Sequence, residues 1–224
     1  MALTKYTWNS FNVTPVASKV IGWNSSADGL TTMSGGAWTL IKTITASSDS
    51  DIAFVNGSSD VVLDGTYSVY KFEFINIHPG TDDKFFQFNG SDDTSSHSYN
   101  ITKTTTFFEA EHTENDTTAA MQYTTSFDLA QSTNYQRLLT EVNNANDGSV
   151  SGMLHLFEPS STTFVKHFIA KSQGYSDTSG VTENPYTWNM YIAGYFNTAS
   201  AIDAIQFKMS SGNIDAGDIC LYGI

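Results

Sequence analysis

Apolar and polar side chains alternate with period two along most of the chain from Trp38 onward. That is the spacing of half-buried β-strands, not of helices. Trp38, Leu40, Lys42 and Ile44 share one parity, against Ile41, Thr43 and Thr45. Ile52 and Phe54 alternate with Ala53 and Val55, and Asn56-Gly57 closes that run. The clearest strand runs from Tyr67 to His78, with Tyr70, Phe72 and Phe74 on one face. Pro79-Gly80 ends it, since proline lacks the donor a ladder needs. Phe86 and Phe88 mark the next strand, and Met153, His155 and Phe157 alternate with Leu154 and Leu156. In Phe164–Ala170 both parities carry apolar residues, Phe168 on one and Ile169 on the other. That pattern reads as a strand buried on both faces. Trp188–Phe196 forms a further strand.

The last stretch, Ala201–Ile224, reads as two strands separated by Ser210-Ser211-Gly212-Asn213, with a second break at Asp215-Ala216-Gly217. Ile219 and Leu221 share one face, and Cys220 and Tyr222 the other. An exposed flat apolar strand is an aggregation edge. The final strand is therefore expected to be central, paired on both sides and buried on at least one face. Residues 104–147 are the least legible. Glu and Ala favour a helix there without any sustained 3.6 period, so a short helix or an irregular crossover inserted between sheets is expected. Residues 1–36 carry Trp8, Phe11 and Trp23 among Asn, Ser, Thr and Gly. They read as an extended arm whose aromatic anchors dock either on a neighbouring surface or on the core of their own chain. About nine or ten strands at short intervals indicate an all-β, antiparallel sandwich or barrel. The organisation expected is an arm at 1–36 and a β-sandwich domain at 37–224.

Charge narrows the partners. The chain of 224 residues carries 10 Lys+Arg against 23 Asp+Glu, a formal net charge of −13, and Arg137 is its only arginine. Phosphate backbones and anionic lipids are bound by clusters of Arg and Lys, so neither nucleic acid nor a membrane surface is an expected partner. No run reaches the ~18 apolar residues of a membrane span, and the N-terminus lacks the apolar segment of a secretory signal. Cys220 is the only cysteine, which excludes an intrachain disulfide and suits a small buried side chain.

The chemistry-bearing residues form no catalytic pattern. His78, His97, His112, His155 and His167 lack zinc-ligand spacing. Glu109, Glu111, His112, Glu114 and Asp116 read as a solvated acidic loop without calcium-loop spacing. Asp82-Asp83 and Asp92-Asp93 read as turn residues rather than paired catalytic carboxylates. No catalytic residue, cofactor or metal is expected, and no enzymatic activity. Tyr175, Tyr186 and Trp188, with Asp177 and Asn184, surround one polar loop and are the candidates for contact with a glycan.

Three segments carry a family resemblance: DGLTTMSGGAWTLIKTITAS at Asp28–Ser47, TYSVYKFEFINIHPGTDD at Thr66–Asp83, and IDAIQFKMSSGNIDAGDICLYGI at Ile202–Ile224. In their order the chain resembles tailed-bacteriophage virion proteins. The resemblance implies a jelly-roll-like β-sandwich, serving as a non-enzymatic structural subunit on the particle exterior. Such a subunit is a capsid decoration protein or a tail-fibre or tail-associated one. It further implies other virion proteins as partners, a homo-oligomer such as a trimer, assembly in the host cytoplasm and residence in the virion. The alternative it leaves open is a receptor-binding module at a fibre tip, with a host-surface glycan as ligand.

Overall fold

The computed structural model describes residues 20–23, 26, 30–33, 38–176 and 185–224. Two compact units divide between Thr39 and Leu40, with residue 224 grouped with the first. The first unit contains an antiparallel hairpin of β1 (Val20–Trp23) and β2 (Leu30–Met33). Scattered aromatics gave no period that announced it.

The second unit is all-β, with no helix among the described residues. Its strands are β3 (Thr39–Thr45), β4 (Ile52–Val55), β5 (Val69–Pro79), β6 (Lys84–Ser91), β7 (Lys103–Thr113), β8 (Ala119–Tyr123), β9 (Gln136–Val142), β10 (Val150–Phe157), β11 (Lys166–Ser176), β12 (Tyr186–Phe196), β13 (Ala204–Met209) and β14 (Ile214–Gly223). They build an eight-stranded sheet, β3-β14-β5-β10-β11-β12-β7-β8, and a four-stranded sheet, β4-β13-β6-β9. Set aside the hairpins β7–β8 and β11–β12, and eight strands remain. Counted along the chain, these run first-eighth-third-sixth in one sheet and second-seventh-fourth-fifth in the other. That is the strand order of a jelly roll. Both hairpins are insertions that add to the same edge of the larger sheet.

The two sheets meet through aromatic side chains. Tyr70, Phe72 and Phe74 on β5 are buried, as their parity predicted. Phe207 of β13 lies among the rings of Phe54, Phe72, Phe74, Phe86 and Phe88, with centroids 5.2–6.3 Å away. Edge-to-face pairs such as Phe54–Phe72 at 5.3 Å and Phe88–Phe168 at 5.2 Å fix the sheets against each other. Alternation fails at one point in β5, because Ile75 is exposed while Ile77 is buried. Asn76 adopts φ 51° there, and the register against β10 slips between Val150 and Gly152. The bulge re-aims Ile77 into the core.

The final strand is central, hydrogen-bonded between β3 and β5. Ile219 and Leu221 are fully buried. The break expected at Asp215–Gly217 is no turn: β14 runs through it with register shifts on both sides of Ala216. Gly217 has φ 110°, and a Cβ there would meet Asn76 O at 2.5 Å. Only glycine meets both constraints.

Two other expectations are corrected. Residues 104–147 hold neither a helix nor an irregular crossover but most of β7, all of β8 and β9. The inward parity of β7 includes Lys103, Thr105 and Glu109, so buried polar groups masked its alternation. And β11 is buried on one face only. Phe168 and Ala170 are covered, whereas Ile169 is 52% exposed.

Because β14 joins the sheet on both edges, losing it should unzip the larger sheet. Leu221→Ala leaves a cavity opposite Phe72, its cross-strand partner, and should cost roughly 2–5 kcal/mol. Truncation after Gly217 strips a row of ladder hydrogen bonds and should be worse. Thermal unfolding checks both; melting within a degree or two of the parent would show β14 to be peripheral.

Candidate functional site

The two inserted hairpins create a sheet surface that the jelly-roll skeleton does not cover. On its outer side the cross-strand register places Met153, Lys171, Tyr191, Phe108 and Tyr123 in one continuous row over β10, β11, β12, β7 and β8. Lys171 Nζ lies 4.9 Å over the Tyr191 ring, and Phe108 meets Tyr123 edge-to-face at 5.1 Å. Neighbouring rows add Ile169 and Met121. Tyr191 is 47% exposed, Phe108 45% and Met121 81%. Next to this row lies a shallow hollow of about 470 Å³. Its walls include Thr104, Thr106, Phe157, His167, Ile169 and Tyr195, with the small Ala193 among them. The outward positions of β7, β8, β11 and β12 carry no Asp or Glu.

The carboxylates of β7 turn to the opposite, inner side. There Glu109 Oε1 accepts hydrogen bonds from Gln122 Nε2 at 2.7 Å and Thr124 Oγ1 at 2.6 Å. Trp188 Nε1 donates to Glu111 Oε2 at 3.1 Å. Thr105 Oγ1 donates to Gln136 Oε1 at 2.6 Å, and Gln136 Nε2 donates to the carbonyls of Phe127 and Arg137. Phe127 folds back onto Phe107, its ring centroid 5.3 Å away. β9 covers part of β11: Ser172 Oγ donates to Leu138 O at 2.6 Å, and a Cβ on Gly174 would strike Leu139 Cδ2 at 2.1 Å.

Two lysines end this inner layer. Lys103 and Lys166 flank Phe196 in one cross-strand row, and both are buried. Lys103 Nζ donates to Ile101 O at 3.1 Å; Lys166 Nζ donates to Phe164 O at 2.8 Å and Thr198 O at 3.1 Å. Burial without a carboxylate partner pushes Lys103 down to about 7. Lys166 is lowered by the same cause, opposed by Asp92.

Of the residues singled out from sequence, Trp8, Phe11, Asp177 and Asn184 lie outside the described residues. Trp23 stands on β1, 64% exposed. Tyr186 and Trp188 come together, with ring centroids 4.7 Å apart, on the inner side of β12. There Tyr186 is buried with its hydroxyl 3.3 Å from Glu141 Oε2, and Trp188 packs on the core. Tyr175 belongs to the outer side, opposite Thr187. The three therefore do not form one aromatic platform. The outer-face row went unnoticed as a site, although Phe107-Phe108 and Phe168-Ile169 announced it by placing apolar residues at both parities.

Among the described residues no three His, Cys, Asp or Glu groups gather as metal ligands. Comparison with known proteins finds no family model, curated protein or solved structure that matches the chain.

Lys103 gives the fold a pH signature. Its ordinary value is 10.5 and its folded value about 7. Between these the unfolded chain binds the extra proton, so stability rises with pH across that window and is flat below it. Lys103→Met should lack the rise. The parent should gain roughly 3 kcal/mol on the variant between pH 7 and pH 9.5 in denaturant titrations. A constant difference between the two would show that Lys103 keeps its ordinary proton affinity when folded.

Proposed function

We propose that the chain is a non-enzymatic structural subunit on the exterior of a tailed-phage particle, and that copies associate through the outer face of the eight-stranded sheet. The observation that carries the reading is that face. Strands with apolar side chains at both parities are the pattern of strands covered on both sides, yet here one side is open. Contiguous exposed apolar surface of this kind marks an interaction site. A second copy fits it best, because the outward positions of the four added strands hold no carboxylate. Two chains of net charge −13 repel one another almost everywhere else.

The free edge supports the same partner. β8 ends the larger sheet, and Ala119–Tyr123 is exposed throughout, without the lysine or proline that usually blunts an edge. Closed symmetric homo-oligomers are the common outcome of such surfaces, and the resemblance to phage appendages favours a trimer. The jelly-roll strand order agrees with the resemblance carried by Asp28–Ser47, Thr66–Asp83 and Ile202–Ile224. In this reading residues 1–36 tie the oligomer to other virion proteins, in capsid or tail.

Light scattering on the full chain should give a trimer at micromolar concentration. Phe108→Asp places a desolvated charge in the contact and should weaken association by at least 2 kcal/mol, about thirtyfold. It should do so without altering the far-UV circular dichroism spectrum. A parent that stays monomeric at high concentration would overturn the assembly reading. Deleting residues 1–36 should leave the sandwich folded but exclude it from particles; normal incorporation of the shortened chain would remove the attachment role.

A further inference from the structure

The outer face of the four-stranded sheet carries a second, chemically distinct site. Across β9, β6 and β13 the register aligns Arg137, Gln87 and Lys208 in one row. Adjacent strands stand roughly 4.8 Å apart, so the two cations flank the amide within ~10 Å of each other at the backbone. The guanidinium of Arg137 packs on two rings, 3.7 Å from the centroid of Phe85 and 4.3 Å from that of Phe127. Lys208 Nζ lies 4.6 Å over the ring of Tyr135. Arg137, Gln87 and Tyr135, with Phe127, Leu129 and Asn134, border a pocket of about 340 Å³; Lys208 stands outside it, behind the Tyr135 ring.

Neither cation has an anionic partner. Among the described residues no ion pair involves Arg137 or Lys208. Nor does the guanidinium donate a hydrogen bond to any described residue. Three carboxylates lie in the neighbourhood. Asp128, between the pocket residues Phe127 and Leu129, accepts a hydrogen bond from the Tyr123 hydroxyl. Glu141, on the same strand, acts on Arg137 only through space. Asp51 accepts a hydrogen bond from Gln206 Nε2 at 2.9 Å, and Gln206 Oε1 in turn accepts from the Tyr135 hydroxyl. In a chain with 23 acidic residues, the only arginine is half-buried and held by aromatic faces instead.

The guanidinium carries its N–H donors at its edges in a planar fork, and rings packed over its π surface do not use them. That fork matches a carboxylate through two parallel hydrogen bonds. The amides of Gln87 and Asn134 and the hydroxyl of Ser126 supply partners for hydroxyl groups, and the Leu129 and Phe127 side chains supply an apolar wall. The volume is at the small end of the range for ligand pockets and suits a single sugar ring. We propose that this pocket binds the carboxylate of an acidic monosaccharide unit, such as a uronic acid. Arg137 receives the carboxylate, and Gln87 and Asn134 the ring hydroxyls. This site is independent of the assembly face and stands whether or not the chain oligomerises there.

Because the chain has one arginine, its Nε–Hε group gives a single nitrogen–proton resonance that reports on the pocket directly. Titrating the full chain with sodium glucuronate should shift that resonance saturably. Glucose, acetate and inorganic phosphate should do so at least tenfold more weakly. Arg137→Gln, followed by calorimetry because its own reporter is lost, should weaken glucuronate binding at least tenfold with the melting temperature unchanged. Should that variant fail to fold, Gln87→Ala keeps the reporter, removes an amide that lines the pocket, and should weaken binding severalfold. The proposal is overturned by the absence of a saturable shift, or by undiminished glucuronate affinity in the folded variants. It is equally overturned if phosphate, acetate or glucose binds as tightly as glucuronate.

Discussion

Four strands cannot cover eight. The smaller sheet, β4-β13-β6-β9, packs on the skeleton half of the larger one, and the surplus width comes from the two inserted hairpins. The covering of the larger sheet follows from how that surplus is handled. On the inner side β9 reaches over β11, and Thr124 and Phe127 fold back onto β7, through hydrogen bonds to Glu109 and Gln136 and the Phe107–Phe127 ring contact. On the outer side nothing in the described chain covers Ile169, Tyr191, Phe108 and Met121. The skeleton alone would close a conventional two-layer core; the insertions turn the same sheet into a surface with an apolar outside.

The inner covering is polar, and polarity has a cost that must be met by partners. Thr105, Glu109 and Gln136 are buried and each is hydrogen-bonded. A buried network that is complete specifies one arrangement, whereas a partial one is destabilising. Lys103 and Lys166 lie at the margin of that network. Their carbonyl partners satisfy donors but supply no counter-charge, so Lys103 loses its proton around pH 7, far below the ordinary lysine value. A lysine that gives up its proton to stay in place stabilises the fold less at low pH than a hydrophobe of similar length would.

What sequence made legible was wherever a single face is uniformly apolar. β5, β6 and β13 show it, and so does β14, whose Ile219 and Leu221 could only be inside. Legibility failed where burial and hydrophobicity part company. β7 buries Lys103, Thr105 and Glu109 while exposing Phe108, so no clear alternation showed, and its Glu and Ala content suggested a short helix or an irregular crossover instead. β11 failed in the opposite sense: its apolar outer face was taken for burial. Backbone irregularities were silent too, because the bulge at Asn76 and the shifts around Gly217 depend on register between strands far apart in sequence. For the pocket at Arg137, the residues come from β6, β9 and the chain before β9. Only their cross-strand pairing reveals the row.

Placement of charge unites these features. Few of the cations neutralise carboxylates: Lys71–Glu73, at 2.8 Å, is the single lysine ion pair among the described residues. Lys103 and Lys166 are spent on carbonyls, and Arg137, Lys171 and Lys208 on aromatic rings. The acidic side chains are thus left largely uncompensated, and at 0.15 M salt their field extends about 8 Å from the surface. Two copies approaching at random meet that field. Two copies approaching by the outer face of the added strands would meet fewer carboxylates, because Glu109 and Glu111 point the other way, and those that remain, Asp116 on His112, Asp128 on Tyr123 and Glu73 beside Met153, lie at its margins. In the proposed assembly, repulsion elsewhere and apolar contact here would select the same orientation, so the acidity of the chain would contribute to the specificity of association as well as to solubility.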